Sequence, residues 1–147
     1  MKRSFGLFGA CVVTIAAFGA VLAAPASASF DHHFSVIGKE TSSHNGPNGF
    51  RFKDKLLDPH NRSNKVGRDR GECELRHAVD KLKCHALVHL NGEIGGSGDI
   101  RVKGAIARHD DRVEVVSGTD DFNGVAGKML IHELHGNVDK LHFDLIR

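Results

Sequence analysis

Apolar and polar residues alternate with a period of two from Phe30 onward, and no window of a dozen residues carries an apolar stripe at helical spacing. The alternation predicts strands over 30–38, 50–57, 65–77, 81–91, 99–108, 112–117, 124–135 and 138–146. Turn-forming residues separate them. Asn45-Gly46-Pro47-Asn48-Gly49 and Asp58-Pro59-His60-Asn61 read as loops, Asn91-Gly92 and Gly95-Gly96-Ser97-Gly98 as tight bends, and Gly136-Asn137 as a hairpin turn. The polar tract Glu40–Gly49 reads as a loop throughout. An all-β chain with this many short strands fits an up-and-down barrel or a sandwich. Eight strands is the number at which a barrel interior just holds side chains or one small ligand.

The same alternation assigns faces. Phe30, His32, Phe34 and Val36 share one face, and Phe50, Phe52, Asp54 and Leu56 share the next. Cys73, Leu75, Leu82, Cys84, Ala86, Val88 and Leu90 continue the inner wall, and stepping back by twos from Cys73 adds Asp69. Ile100, Val102, Gly104, Ile106 and Arg108 follow, then Val113, Val115, Leu141, Phe143 and Leu145. Four members of this wall are ionisable: His32, Asp54, Asp69 and Arg108. A charge on an apolar wall is costly unless paired, and such groups acquire shifted pKa values suited to acid–base work. Asp54 and Asp69 are therefore the candidate catalytic residues. His32, Phe34, Phe52 and Arg108 are the candidate ligand-binding residues.

The N-terminus adds a compartment. Lys2 and Arg3 precede an uncharged apolar run from Phe5 to Ala24, and Ala26-Ser27-Ala28 supplies a small-residue cleavage site. The pattern predicts a signal peptide over 1–28 and one domain over 29–147, with localisation outside the cell. A retained membrane anchor is the competing reading of the run. The alanine-rich leader suits a bacterial exported protein. Loss of Lys2 and Arg3 brings the 20 basic residues level with the 18 acidic ones. No basic run with interleaved aromatics is present, so nucleic acid is not an expected partner. Nor is a membrane, once the leader is removed.

Cys11 leaves with the leader, and an exported chain with Cys73 and Cys84 remaining reads as one disulfide. Register supports the pairing. A two-residue turn at Ala78-Val79 sets Arg76 opposite Lys81, Leu75 opposite Leu82, Glu74 opposite Lys83 and Cys73 opposite Cys84.

Eleven histidines raise the question of metal. His132 and His135 point to opposite faces of a strand, as do His32 and His33, while His85 and His89 stand about 13 Å apart at strand rise. No metal site and no cofactor are expected, and no nucleophile elbow or phosphate loop occurs.

The segment Val115-Val116-Ser117-Gly118-Thr119-Asp120-Asp121-Phe122-Asn123-Gly124-Val125-Ala126-Gly127 resembles the V-V-G-G-T-G-x-F-x-G-x-x-G signature of the dirigent and allene oxide cyclase barrels. Phe50-x-Phe52-x-Asp54-x-Leu56, Val66-Gly67-Arg68-Asp69-Arg70-Gly71 and Leu90-Asn91-Gly92-Glu93-Ile94-x-Gly96-Ser97 resemble further pieces of the family in the same order. The resemblance implies an eight-stranded antiparallel barrel, assembled as a homotrimer, with an internal pocket that works by positioning and without a cofactor. Three places depart from it: Asp111-Arg112 stands where plant members have Arg-Glu, Ser117-Gly118 replaces a glycine pair, and Asp120 replaces a glycine. The functional expectation is a secreted barrel that binds a small, largely apolar molecule and steers its cyclisation or coupling. The alternatives are a non-catalytic extracellular binding or envelope protein and a lipocalin-like carrier.

Overall fold

A computed structural model describes residues 31–76, 81–106 and 111–147. Phe30, Arg108, the Ala78-Val79 turn and the leader lie outside the described residues. Eight antiparallel strands form a closed barrel in simple sequence order. They are β1 (Asp31–Gly46), β2 (Gly49–Leu57), β3 (Lys65–Arg76), β4 (Lys81–Asn91), β5 (Ser97–Ile106), β6 (Asp111–Gly118), β7 (Ala126–Glu133) and β8 (Val138–Ile146). Each strand pairs with its neighbour in the chain, and β1 closes the ring by pairing with β8 from Asp31↔Ile146 to Lys39↔Val138.

Most of the predicted inner wall is buried. Val36, Leu56, Val88, Leu90, Ile100, Phe143 and Leu145 are fully buried, while Leu75 at the end of β3 is exposed and Val66, off the predicted face, turns inward at the β2–β3 register shift. Each fully buried side chain contributes about 1.5–3 kcal/mol from the surface it removes from water. The hairpin register is the expected one, with Cys73 opposite Cys84, Glu74 opposite Lys83 and Leu75 opposite Leu82. The disulfide Cys73–Cys84 joins these opposed positions at a Cα separation of 4.0 Å.

Two local expectations need correction. The polar tract from Glu40 to Gly46 is strand, not loop: β1 runs to Gly46 and returns through a turn at Pro47 and Asn48. Glu40 pairs with Asp54, and after a bulge between Glu40 and Ser42 the rest pairs with Lys53 through Gly49; at the bulge the Thr41 hydroxyl donates to the Lys53 carbonyl at 2.8 Å. Backbone pairing holds this stretch although its side chains from Thr41 to Gly46 are exposed, so it carries no alternation to read. The 124–135 strand is shorter, Ala126–Glu133, because Gly124 turns with φ of 77°. Ahead of it, Asp120–Phe122 forms a 3-10 turn that folds Phe122 under the barrel end, fully buried.

Asp120 occupies the left-handed region, with φ of 52°, at the position where the resembling signature has glycine. A short acidic side chain tolerates this backbone better than most, and Thr119 Oγ1 donates to Asp120 Oδ2 at 3.0 Å. Asp120→Val should lower stability by about 1–2 kcal/mol while Asp120→Gly should be neutral or mildly stabilising, read from chemical denaturation midpoints. The double variant Cys73→Ser/Cys84→Ser should lose about 2–3 kcal/mol, as expected for a short closed loop, with a matching fall in Tm by calorimetry.

Candidate functional site

The two ends of the barrel are filled differently. At one end, Phe34 stacks on Phe143 with ring centroids 4.7 Å apart, and Phe122 packs at 6.1 Å. The β4–β5 turn lies over them so closely that a side chain at Gly95 would meet the Phe34 ring at 2.7 Å. This end is a solid aromatic core.

The other end encloses a cavity of about 360 Å³. Phe50, Phe52, Val102, Val113, Met129 and Leu141 supply its apolar wall, and Cys73 and Cys84 line one side. Phe52 is held against the wall because it pairs with Gly71, whose missing Cβ would sit 2.5 Å from the Phe52 ring. Any larger residue at 71 would drive the ring toward the lumen.

Asp54 and Asp69 enter this cavity side by side. They are direct partners in the β2–β3 register, with Asp69 only 6% exposed. Both carboxyls are raised. Burial pushes Asp69 to about 8, helped by the neighbouring Asp54 charge and by their shared hydrogen bond. Burial also raises Asp54, to about 6, although its hydrogen bond to Asp69 works in the opposite direction. The two therefore behave as one pair that holds a single proton near neutrality. The Oδ1 atom of each is buried without a hydrogen-bond partner. Those two oxygens are the polar valences this wall offers to a ligand.

The rim is acidic as well. Glu40, Asp111, Glu133 and Asp139 stand around the cavity. Asp139 is raised by burial and then by the charges of Glu133 and Glu40. These groups were missed in the sequence, yet the period-two rule reaches them. Stepping back by two from Leu141 gives Asp139, and stepping forward from Val36 by twos gives Glu40.

The sequence-predicted residues thus divide. Asp54, Asp69 and Phe52 line the cavity together. Phe34 belongs to the aromatic end, and His32 lies beside it at 5.4 Å, opposite Leu145 in the register and outside the cavity lining. Arg108 lies outside the described residues.

No family model matches the chain, and no curated relative does. Solved structures do. The chain is similar to a pyocyanin demethylase at a TM-score of 0.63 and 16% identity, over 77% of this chain and 98% of that one. It is similar to the pterocarpan synthase dirigent protein GePTS1 at a TM-score of 0.64 and 11% identity, over 95% of this chain and 97% of that one. The fold is a dirigent-like barrel.

The raised carboxyl pair has a signed consequence for stability. Folded-state pKa values above the unfolded 3.8 mean that the native state binds more protons between about pH 4 and about pH 8. Stability should therefore fall as pH rises through this window. Asp69→Asn should flatten that slope and raise Tm at pH 8 relative to the parent; an unchanged slope in thermal melts across the window would sink the assignment.

Proposed function

We propose that this protein is an exported barrel that binds one compact, largely apolar molecule and moves a proton on it. The observation that carries the reading is the Asp54–Asp69 pair, buried and mutually hydrogen-bonded in the wall of the cavity beside Phe50, Phe52 and Ala86. A carboxyl pair of this kind is costly to fold around and suited to acid–base work. The cavity is at the small end of ligand pockets, so a ligand of one or two fused rings fits better than a long chain. The acidic rim disfavours anions and favours a ligand whose polar group is cationic or donates hydrogen bonds.

The roles follow from burial. Asp69, the more buried, holds the proton near neutrality and acts as the general acid. Asp54 is the carboxylate, accepting a proton from the ligand or standing beside positive charge as it develops. The hydrogen bond between them lets a proton return from Asp54 to Asp69, so the pair resets without a cofactor. Phe50 and Phe52 orient the ligand over the two carboxyls. This chemistry would serve the steering of a cyclisation or coupling, in line with the likeness to a pterocarpan synthase dirigent protein. The disulfide and the leader support export.

The ligand can be identified by native mass spectrometry on protein purified from its host. Turnover of that ligand should then follow a bell-shaped pH profile with limbs near 6 and 8, the values the pair implies. Asp54→Asn should remove the acid limb and reduce kcat by about 10²–10⁴-fold with the ligand still bound. Unchanged turnover in that variant rules out the acid–base role, and tight binding without turnover in the parent identifies a binding protein.

A further inference from the structure

On the outer face, away from the cavity, β1 and β8 bring three metal-binding groups together. His33 stands directly opposite Asp144 in the register, and Ser35 stands opposite His142. The pleat points Asp31, His33 and Ser35 outward from β1, and His142 and Asp144 outward from β8. Side chains at 33, 142 and 144 therefore meet over the seam that closes the barrel. His33 Nδ1 is 2.8 Å from Asp144 Oδ1, and His142 Nε2 is 3.0 Å from the same oxygen. One ligand atom from each residue lies within 4.8 Å of the others.

We propose that His33, His142 and Asp144 form a binding site for a divalent ion of the zinc or copper type, clipping the first strand to the last. The donor set is two imidazole nitrogens and a carboxylate oxygen, which suits these ions. Donor atoms of a tetrahedral zinc with bonds of about 2.0–2.1 Å stand about 3.3 Å apart. The two observed nitrogen–oxygen separations need to open by only a few tenths of an ångström, and the two nitrogens lie within 4.8 Å of each other.

The outer contacts of the two imidazoles are an independent indication. His33 Nε2 is 2.8 Å from Asp31 Oδ1, and His142 Nδ1 is 2.8 Å from Ser35 Oγ. Each ring thus has oxygen partners at both nitrogens, so that with an ion beside Asp144 the far nitrogen can keep its proton on Asp31 or Ser35 while the near nitrogen coordinates. That is the arrangement outer partners impose on metal-bound histidines, carboxylate–histidine–metal included. Two other outer-face pairs, His85–Glu72 and His89–Asp99, each bring one imidazole to one carboxylate. The cluster at the seam brings two imidazoles to a shared carboxylate oxygen and supports both from behind. Three protein ligands leave a fourth position open to solvent, so the ion would exchange readily.

Untagged protein titrated with ZnCl₂ at pH 7.5 in a calorimeter should bind one ion per chain. His142→Ala should abolish that binding, Asp31→Asn and Ser35→Ala should each weaken it about 10–100-fold, and His85→Ala should leave it unchanged. Zinc should also raise the Tm of the parent and not that of His142→Ala. Should His142→Ala fail to fold, the parent titrated with Co²⁺ should give the intense visible bands of a four-coordinate site. Saturable binding that survives His142→Ala, or no binding by the folded parent, overturns the proposal and leaves His33 as an imidazolium ion-paired with Asp31 and Asp144.

Discussion

Closure of the ring governs everything else in this molecule. Because β1 pairs with both β2 and β8, no strand edge is left open, and the pleat sends alternate residues of every strand into one lumen. A lumen of eight strands is just wide enough for side chains or one small ligand, so its contents are decided residue by residue. At one end three phenylalanines fill it. At the other, Ala86 is small, Asp54 and Asp69 are short, and Phe52 lies back over Gly71. The cavity is what those four choices leave.

The carboxyl pair is the place where this economy is broken. Like charges directly opposite on adjacent strands destabilise a sheet, and burial makes the conflict worse. A fold selected only for stability would place apolar residues at 54 and 69, as it does one layer along at Leu56 and directly opposite Asp69 at Val88. Local violations of otherwise consistent patterning concentrate at functional sites. Here the violation is two residues deep, internally hydrogen-bonded and turned toward empty space, and that combination separates it from a solvated rim.

Most of the architecture was legible because period two is a strong signal wherever one face is buried. The inner wall, the strand set and the Cys73–Cys84 register all follow from it. It failed where both faces are wet: Thr41 to Gly46 is strand held by backbone pairing, with no buried side chain to mark it. It also failed in the glycine-rich signature, where a 3-10 turn hides between two strands and supplies Phe122 to the core. The acidic rim was within reach of the rule, but Glu40 lay in the tract read as loop. Asp139 lay one step beyond the last apolar residue considered. The His33–His142–Asp144 cluster was out of reach, since its members come from opposite ends of the chain and only the closing pair of strands unites them.

That closing pair differs physically from the other seven seams. Each of those joins neighbours in the chain through a short connection, so the loss of chain entropy on pairing is modest. The β1–β8 seam joins the first strand to the last, and no covalent turn sets its register. Register there must come from the buried ladder of Val36, Phe34, Leu141, Phe143 and Leu145 inside and from side-chain contacts outside. The outer contacts are unusually specific: Asp31 to His33, His33 to Asp144, Asp144 to His142 and His142 to Ser35 form one continuous polar chain across the seam. A one-residue slip would break both links that cross the seam, His33 to Asp144 and His142 to Ser35, so the cluster discriminates against the slipped barrel as well as supporting the native one.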